Sequence, residues 1–353
     1  MHWFVVPDVD GPVTGGTQYN RFLVMELRKL GFGCEAISLA RACTMLAGSS
    51  PADCYWLDSL FLAKLPQLAR AARPGAALGL IVHFLPSLLD CGGDLSSHRI
   101  EVAERAALKS AAMFLAPSEL MGRVVRRFVV PHRPVLLVEP GRLAPGPTAR
   151  PAQPIRAIVV ANLVPGKRIV PLLDNLAEGV RPSDQLQVIL VGGARLDPAH
   201  AEACRAAGRD PRLRGRLKWL GEQTPESTVR LMQESSLLLS ASVMESYGMA
   251  LAEARTLGLP IIAARGGNVA SIVVPEAGGE VLPGPSEVAT SCLALCRDHG
   301  EYRRRLALAR ARAWPARSWQ TAALEFASQW SEASRRAEQR HAPVKDDGPR
   351  ART

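Results

Sequence analysis

The chain has 353 residues, 47% of them hydrophobic and 22% charged, which excludes a disordered main state and provides enough apolar surface for two cores. Lys and Arg number 43 against 33 Asp and Glu, for a formal net charge of +10. The excess is spread as +4, +3 and +3 over residues 1–150, 151–334 and 335–353, so no segment reads as a nucleic-acid module.

Short apolar runs alternate with amphipathic stretches throughout, the pattern of βα units around parallel sheets. In the first half Trp3–Val6, Ala77–Val82, Met113–Ala116 and Val135–Val138 read as buried strands. Gln18–Leu30, Phe61–Ala72, His98–Ser110 and Ser118–Phe128 read as helices, with Pro66 fitting only a first turn. The opening strand stops at Pro7 with no basic region before it, so it is not read as a signal peptide. Residues 146–154, rich in Pro, form a linker between a first domain at 1–145 and a second at 155–312. The second half restarts the alternation. Ile155–Ala161, Leu186–Val191, Leu217–Leu220, Leu237–Ser240 and Pro260–Ala263 are strand-like, with helices at Arg168–Gly179, Pro225–Glu234 and Ser246–Leu257. From Arg303 the chain is helical, breaks at Pro315, and restarts with Ser318 as an N-cap, so 313–334 is expected to hold a closing helix. Residues 335–353 turn polar without periodicity and are expected to be disordered.

Seven cysteines without a C-x-x-C fit reduced thiols in a cytosol rather than a disulfide framework or a zinc site. No stretch reaches the roughly 18 apolar residues of a membrane span. The expectation is therefore a cytoplasmic protein. Arg123, Arg126 and Arg127 among the apolar residues of Leu120–Val130 leave open a contact with the inner face of a membrane, against the plainer reading of a solvated helix face.

Several residues carry chemistry. Gly15-Gly16 follows the first strand and opens a helix, a turn that lets backbone approach a ligand and offers free N–H groups to an anion. Asp8-Val9-Asp10 just before it is better read as solvated turn carboxylates than as a metal site. His83 ends an apolar strand, where the ligand crevice of an open α/β sheet lies. Lys167 follows the first strand of the second half and would meet a diphosphate as a compact charge.

The strongest stretch runs from Trp219 to Ile272. It brings together Glu245, Ser246-Tyr247-Gly248-Met249, Glu253 and Gly266-Gly267. Eight residues of helix turn through about 800°, so two helical glutamates at this spacing would point about 80° apart. Glu245 is therefore read in the loop before the helix and Glu253 one to two turns inside it, with Gly248 leaving room for phosphate at the helix N-terminus.

This stretch resembles the E-x7-E signature of retaining glycosyltransferases of the GT-B fold, family four, with Glu245 and Glu253 on the two signature glutamates. The resemblance takes in Gly15-Gly16, His83, Pro117-Ser118, Lys167, Gly221, Gly266-Gly267 and Ser318-Trp319. It implies two Rossmann-like doubly wound domains facing a cleft, with the closing helix crossing back to the first. By resemblance Glu245 lies by the donor sugar, Glu253 holds the ribose, and Lys167 neutralises the diphosphate. The implied catalytic set is Glu245, Lys167 and His83; Gly15, Gly16, Asn162, Arg168, Gly221, Ser246, Tyr247, Gly248, Met249 and Glu253 complete the donor site. No metal cofactor is implied. The partners implied are a nucleotide-sugar and a hydroxyl acceptor, lipid-linked acceptors included, in cell-envelope or secondary-metabolite glycan synthesis. Two positions depart from the family pattern: Asn162 stands where an Arg is common, and Asn268-Val269-Ala270-Ser271 where Pro-Glu often follows the paired glycines. The rivals are a GT-B epimerase or phosphorylase, and a degenerate member that binds a sugar nucleotide or a partner enzyme without turnover.

Overall fold

The computed structural model describes residues 1–7, 11–91, 94, 96, 98–129, 133–148 and 154–341, and no helix among them is long and apolar enough to cross a membrane. The Asp8-Val9-Asp10 turn, part of the 146–154 linker and residues 342–353 lie outside the described residues.

Among the described residues, twelve strands form two parallel sheets. Strands β1 (His2–Val5), β2 (Cys34–Ile37), β3 (Cys54–Asp58), β4 (Ala77–Ile81), β5 (Met113–Ala116) and β6 (Val135–Leu137) take the order β2-β1-β3-β4-β5-β6. Strands β7 (Ile155–Val160), β8 (Leu186–Val191), β9 (Leu217–Gly221), β10 (Leu237–Ser240), β11 (Ile261–Ala264) and β12 (Glu280–Leu282) take the order β12-β11-β10-β7-β8-β9. Helices of the first half are α1 (Gly15–Lys29), α2 (Leu39–Met45), α3 (Leu65–Ala71), α4 (Ser87–Asp90), α5 (Val102–Ser110) and α6 (Glu119–Phe128). Those of the second are α7 (Ile169–Gly179), α8 (Pro198–Ala207), α9 (Pro225–Gln233), α10 (Met249–Leu257), α11 (Val269–Ile272), α12 (Pro285–Arg297), α13 (His299–Ala311) and α14 (Trp319–His341). Each half is a doubly wound α/β sheet, as expected. In such sheets ligands bind beyond the strand carboxyl ends where the order reverses, here beside β1 and β3 in one half and β7 and β10 in the other.

Strands β2, β3 and β12 and helices α2, α4, α8, α11 and α12 were not foreseen in the sequence. β2 and β12 are four and three residues long and carry partly exposed glutamates, too little for a period to register. The helix expected at Ser246–Leu257 begins at Met249 instead. Gly248 has φ 88°, a left-handed conformation that no right-handed helix contains, and this ends the loop and starts α10.

Helix α14 crosses back to the first half. Trp319, Ala322, Ala323 and Phe326 are buried in one core with Phe4, Tyr19, Phe22 and Trp56, and the Phe22 and Trp319 rings stack at 5.2 Å. Gln329 closes the edge of β6, accepting from the Leu137 N–H at 2.8 Å and donating to its carbonyl at 2.6 Å. The helix runs on to His341, so residues 335–341 are helical where disorder was expected. Helix α6 turns Leu120, Met121, Val124 and Val125 into the core and Arg123, Arg126 and Arg127 outward.

Candidate active site

The second half builds its side of the cleft largely from backbone. After β7 the chain runs through Asn162 into a 3-10 turn, Pro165–Lys167, and Arg168 adopts φ 49° before α7. This turn aims Lys167 at the loop after β10, where its Nζ donates to Glu245 Oε1 at 2.5 Å. Glu245 sits in that loop, paired in parallel with Gly267, and its carbonyl accepts from the Asn268 N–H at 2.7 Å. The Asn268 side chain donates to the Tyr247 carbonyl at 2.9 Å and so pins the loop a second time. A Cβ at Gly266 would overlap the Val243 carbonyl, and one at Gly267 the Glu245 carbonyl. The paired glycines thus admit another backbone segment.

Helix α10 then presents its N-terminal turn to the cavity, with Gly248, Met249, Ala250 and Leu251 along the wall. Glu253 lies one turn inside the helix. It is only 8% exposed, so it does not stand on a solvated helix face. Burial pushes its pKa up to about 7, against a hydrogen bond from the Leu143 N–H and the nearby Arg142 charge. Arg142 itself donates to the Tyr247 hydroxyl at 3.3 Å and to the Pro315 carbonyl, and lies over the Trp314 ring. Tyr247 is buried on that contact and does not line the cavity.

Polar contacts join the two halves around this cavity. Asn162 Nδ2 donates to the Val13 carbonyl at 2.9 Å while its Oδ1 accepts from the Gly193 N–H, also at 2.9 Å. Ser118 Oγ donates to the Ser246 carbonyl at 2.6 Å and also caps α6. Arg195 bridges the Gly11 carbonyl and Glu222. A Cβ on Gly15 would come 3.5 Å from Met249 Sδ, so the N-terminus of α1 faces the N-terminus of α10 across the cleft. The cavity between them is lined by Gly15, Asn162, Lys167, Glu245 and Glu253 together.

On the first half, His83 follows β4 and packs edge-on against Tyr19 at 5.1 Å between ring centroids. Its Nε2 lies 2.9 Å from Asn20 Oδ1 and 3.7 Å from Asp58 Oδ2, and a Cβ on Gly16 would come within 3.1 Å of the ring. Burial lowers its pKa, opposed by the Asp58 charge.

Among the residues expected from sequence, Gly15, Asn162, Lys167, Glu245, Gly248, Met249 and Glu253 converge on one cavity. Gly16 and His83 stand beside it in contact with each other; Ser246 faces Ser118, and Gly221 ends β9 with open space at its Cβ position. Arg168 follows Lys167 without lining the cavity. Sequence reasoning missed Gly192 and Gly193, which line the cavity after β8; the Val191-Gly192-Gly193 run after an apolar strand was the available signal. It also missed Asn20 and Asp58, for which no local signal exists. Chemically, the cavity offers an ammonium and a helix N-terminus for an anion, and two carboxylates that can accept from hydroxyls.

Residues 144–308 match the family model described as glycosyl transferases group 1. Among curated proteins, the chain is 29% identical over 206 residues to a D-inositol 3-phosphate glycosyltransferase of Corynebacterium efficiens, covering 56% of this chain and 48% of that protein. It is 28% identical over 156 residues to the protein of the same name from Corynebacterium glutamicum, covering 43% and 37%. The alignments thus span about half the length of the first of these relatives or less. A sucrose-phosphate synthase from Thermosynechococcus elongatus superposes with a TM-score of 0.75 at 17% identity, covering 95% of this chain and 99% of that one. HepE from Anabaena, in complex with UDP and glucose, superposes with a TM-score of 0.71 at 16% identity, covering 94% and 99%. At these identities the likeness is one of fold, and the fold is GT-B.

Proposed function

We propose, from the match of residues 144–308 to the glycosyl transferases group 1 model, that the whole chain is a retaining glycosyltransferase moving a sugar from a nucleotide-diphosphate-sugar to a hydroxyl acceptor. The observation that carries this reading is the Lys167–Glu245 contact of 2.5 Å in a cavity shared with the α10 N-terminus and buried Glu253. In this reading the diphosphate lies at the α10 N-terminus beside Lys167, Glu245 accepts from donor-sugar hydroxyls, and Glu253 accepts from the ribose. Bond cleavage develops negative charge on the leaving diphosphate, which Lys167 and the N–H groups stabilise more than they do the ground state. The acceptor hydroxyl attacks from the leaving-group face and passes its proton to the departing phosphate. Because Lys167 and the helix terminus offset the diphosphate charge, turnover is expected to survive chelation by EDTA.

That the HepE complex holds UDP and glucose in the same fold favours a uridine donor. An apolar groove beside the cavity, lined by Val6, Pro12, Val24 and Met25 with Arg21 and Arg28 at its edge, shares Val13 and Gln18 with the donor cavity. It favours an acceptor with an apolar chain and an anionic group, as a lipid phosphate has. The seven free cysteines favour a reducing, cytoplasmic setting.

The test is a thermal-shift panel with UDP, GDP, ADP and their sugar conjugates on wild type, Glu253→Ala and Lys167→Ala. One nucleotide family is expected to stabilise the wild type, with the shift diminished in both variants. No shift with any nucleotide at millimolar concentration overturns the reading in favour of a protein that acts on a partner without turnover. Anomeric NMR of the product then decides retention.

A further inference from the structure

We infer that Asn20 and Asp58 are positioning residues that hold His83 in a single tautomer, proton on Nε2, with the Nδ1 lone pair left to accept from a substrate hydroxyl.

The chain of hydrogen bonds permits one polarity. Asp58 is 1% exposed; its Oδ1 accepts from the Leu60 N–H at 2.8 Å, and its Oδ2 lies 2.5 Å from the Asn20 side-chain nitrogen. A carboxylate only accepts, so Asn20 must turn its NH2 toward Asp58 and its oxygen toward His83. That oxygen, 2.9 Å from His83 Nε2, also only accepts, so Nε2 must carry the proton. A neutral imidazole has one N–H, and burial disfavours the doubly protonated ring, which leaves Nδ1 bare. Nδ1 has no protein partner among the described residues and is not among the sealed polar atoms that lack one. The ring is also fixed mechanically. Tyr19 packs on it edge-on, and the absence of a side chain at Gly16 is what admits it, since a Cβ there would come 3.1 Å from two ring carbons. His83 lies after β4 beside the N-terminus of α1, whose Gly15 lines the donor cavity. The polarity of this chain of hydrogen bonds is set by the protein alone; only the identity of the hydroxyl rests on the glycosyl-transfer reading.

The test is long-range 15N–1H NMR on the full chain labelled at histidine, with His83 assigned by its loss in His83→Gln. At neutral pH the wild type is expected to show a protonated Nε2 and a bare Nδ1 at His83. Asp58→Asn, which frees the Asn20 amide to rotate, and Asn20→Leu, which removes it, are each expected to give a tautomer mixture while circular dichroism shows a folded chain. A wild-type His83 protonated at Nδ1 overturns the inference, as does an unchanged single tautomer in a folded variant; if Asp58→Asn fails to fold, Asn20→Leu decides. A UDP thermal shift on the same samples separates the two claims. The stated tautomer without a UDP shift overturns the transferase reading alone, and a UDP shift with a mixed wild-type tautomer overturns this inference alone.

Discussion

The two walls of the cleft are built by different means. On the second half, the decisive contacts are backbone against backbone: Gly266 and Gly267 admit the Val243 and Glu245 carbonyls, Gly192 admits Ala161, and Gly248 starts α10 in a left-handed conformation. A loop held in this way presents Lys167 and Glu245 as a pair and leaves helix N–H groups free for an anion. On the first half, the decisive contacts are side chain to side chain: Asp58 from β3 orients Asn20 from α1, which orients His83 after β4. In the proposed reading the second wall surrounds an anion, which close main chain serves, and the first meets a hydroxyl, which an imidazole of fixed polarity serves.

Substitutions on the backbone-built wall should break it most severely. Gly266→Ala forces a Cβ onto the Val243 carbonyl, and the loop carrying Glu245 has to move. A loss of about 3 kcal/mol in stability and more than tenfold in nucleotide affinity is expected, read by denaturant unfolding and calorimetry. Unchanged affinity would show that the loop does not hold the ligand. Glu253→Gln acts in the opposite sense on stability. Its folded pKa of about 7 lies above the ordinary 4.5, so the folded chain binds that proton more tightly than the unfolded one. The contribution is therefore fully present below pH 4.5 and lost as pH rises through 7. The Gln variant is expected to lose this slope and to exceed wild type above that range by roughly 3 kcal/mol, while binding nucleotide more weakly. Urea unfolding across pH checks the first part, and a wild type with no slope in this window would remove the argument. The smallest effect is expected from Asn162→Ala, which cuts a side-chain strap between the walls. About 1 kcal/mol of stability should go, with KM for the donor raised more than kcat is lowered; the reverse pattern would place Asn162 in the chemistry.

The same contrast explains what could be read in advance. Glu245 and Glu253 flank Gly248 within nine residues, and a Gly-Gly pair follows the next strand, so most of the second wall is local in sequence. Fold class was legible for a related reason: buried parallel strands are continuous apolar runs, and β5, β8 and β10 coincide with the runs Met113–Ala116, Leu186–Val191 and Leu237–Ser240. The start of α10 was misplaced by three residues because the apolar spacing that marks a helix continues through its N-terminal loop.

By itself, then, the amino-acid sequence determined two doubly wound sheets and the placing of Glu245 before a helix that carries Glu253, because strand and helix periods and glycine-containing turns act over short stretches of chain, whereas the meeting of Lys167 with Glu245 needed the fold. The tertiary structure alone decided that Glu253 is buried, that Asn162 ties one half to the other, and that Asn20, Asp58 and His83 form one chain of hydrogen bonds. Those three residues come from three different elements, and nothing in the pattern of any one of them specifies its partners. Only the sheet order, which sets β3 between β1 and β4, brings a buried carboxylate within reach of an amide and an imidazole.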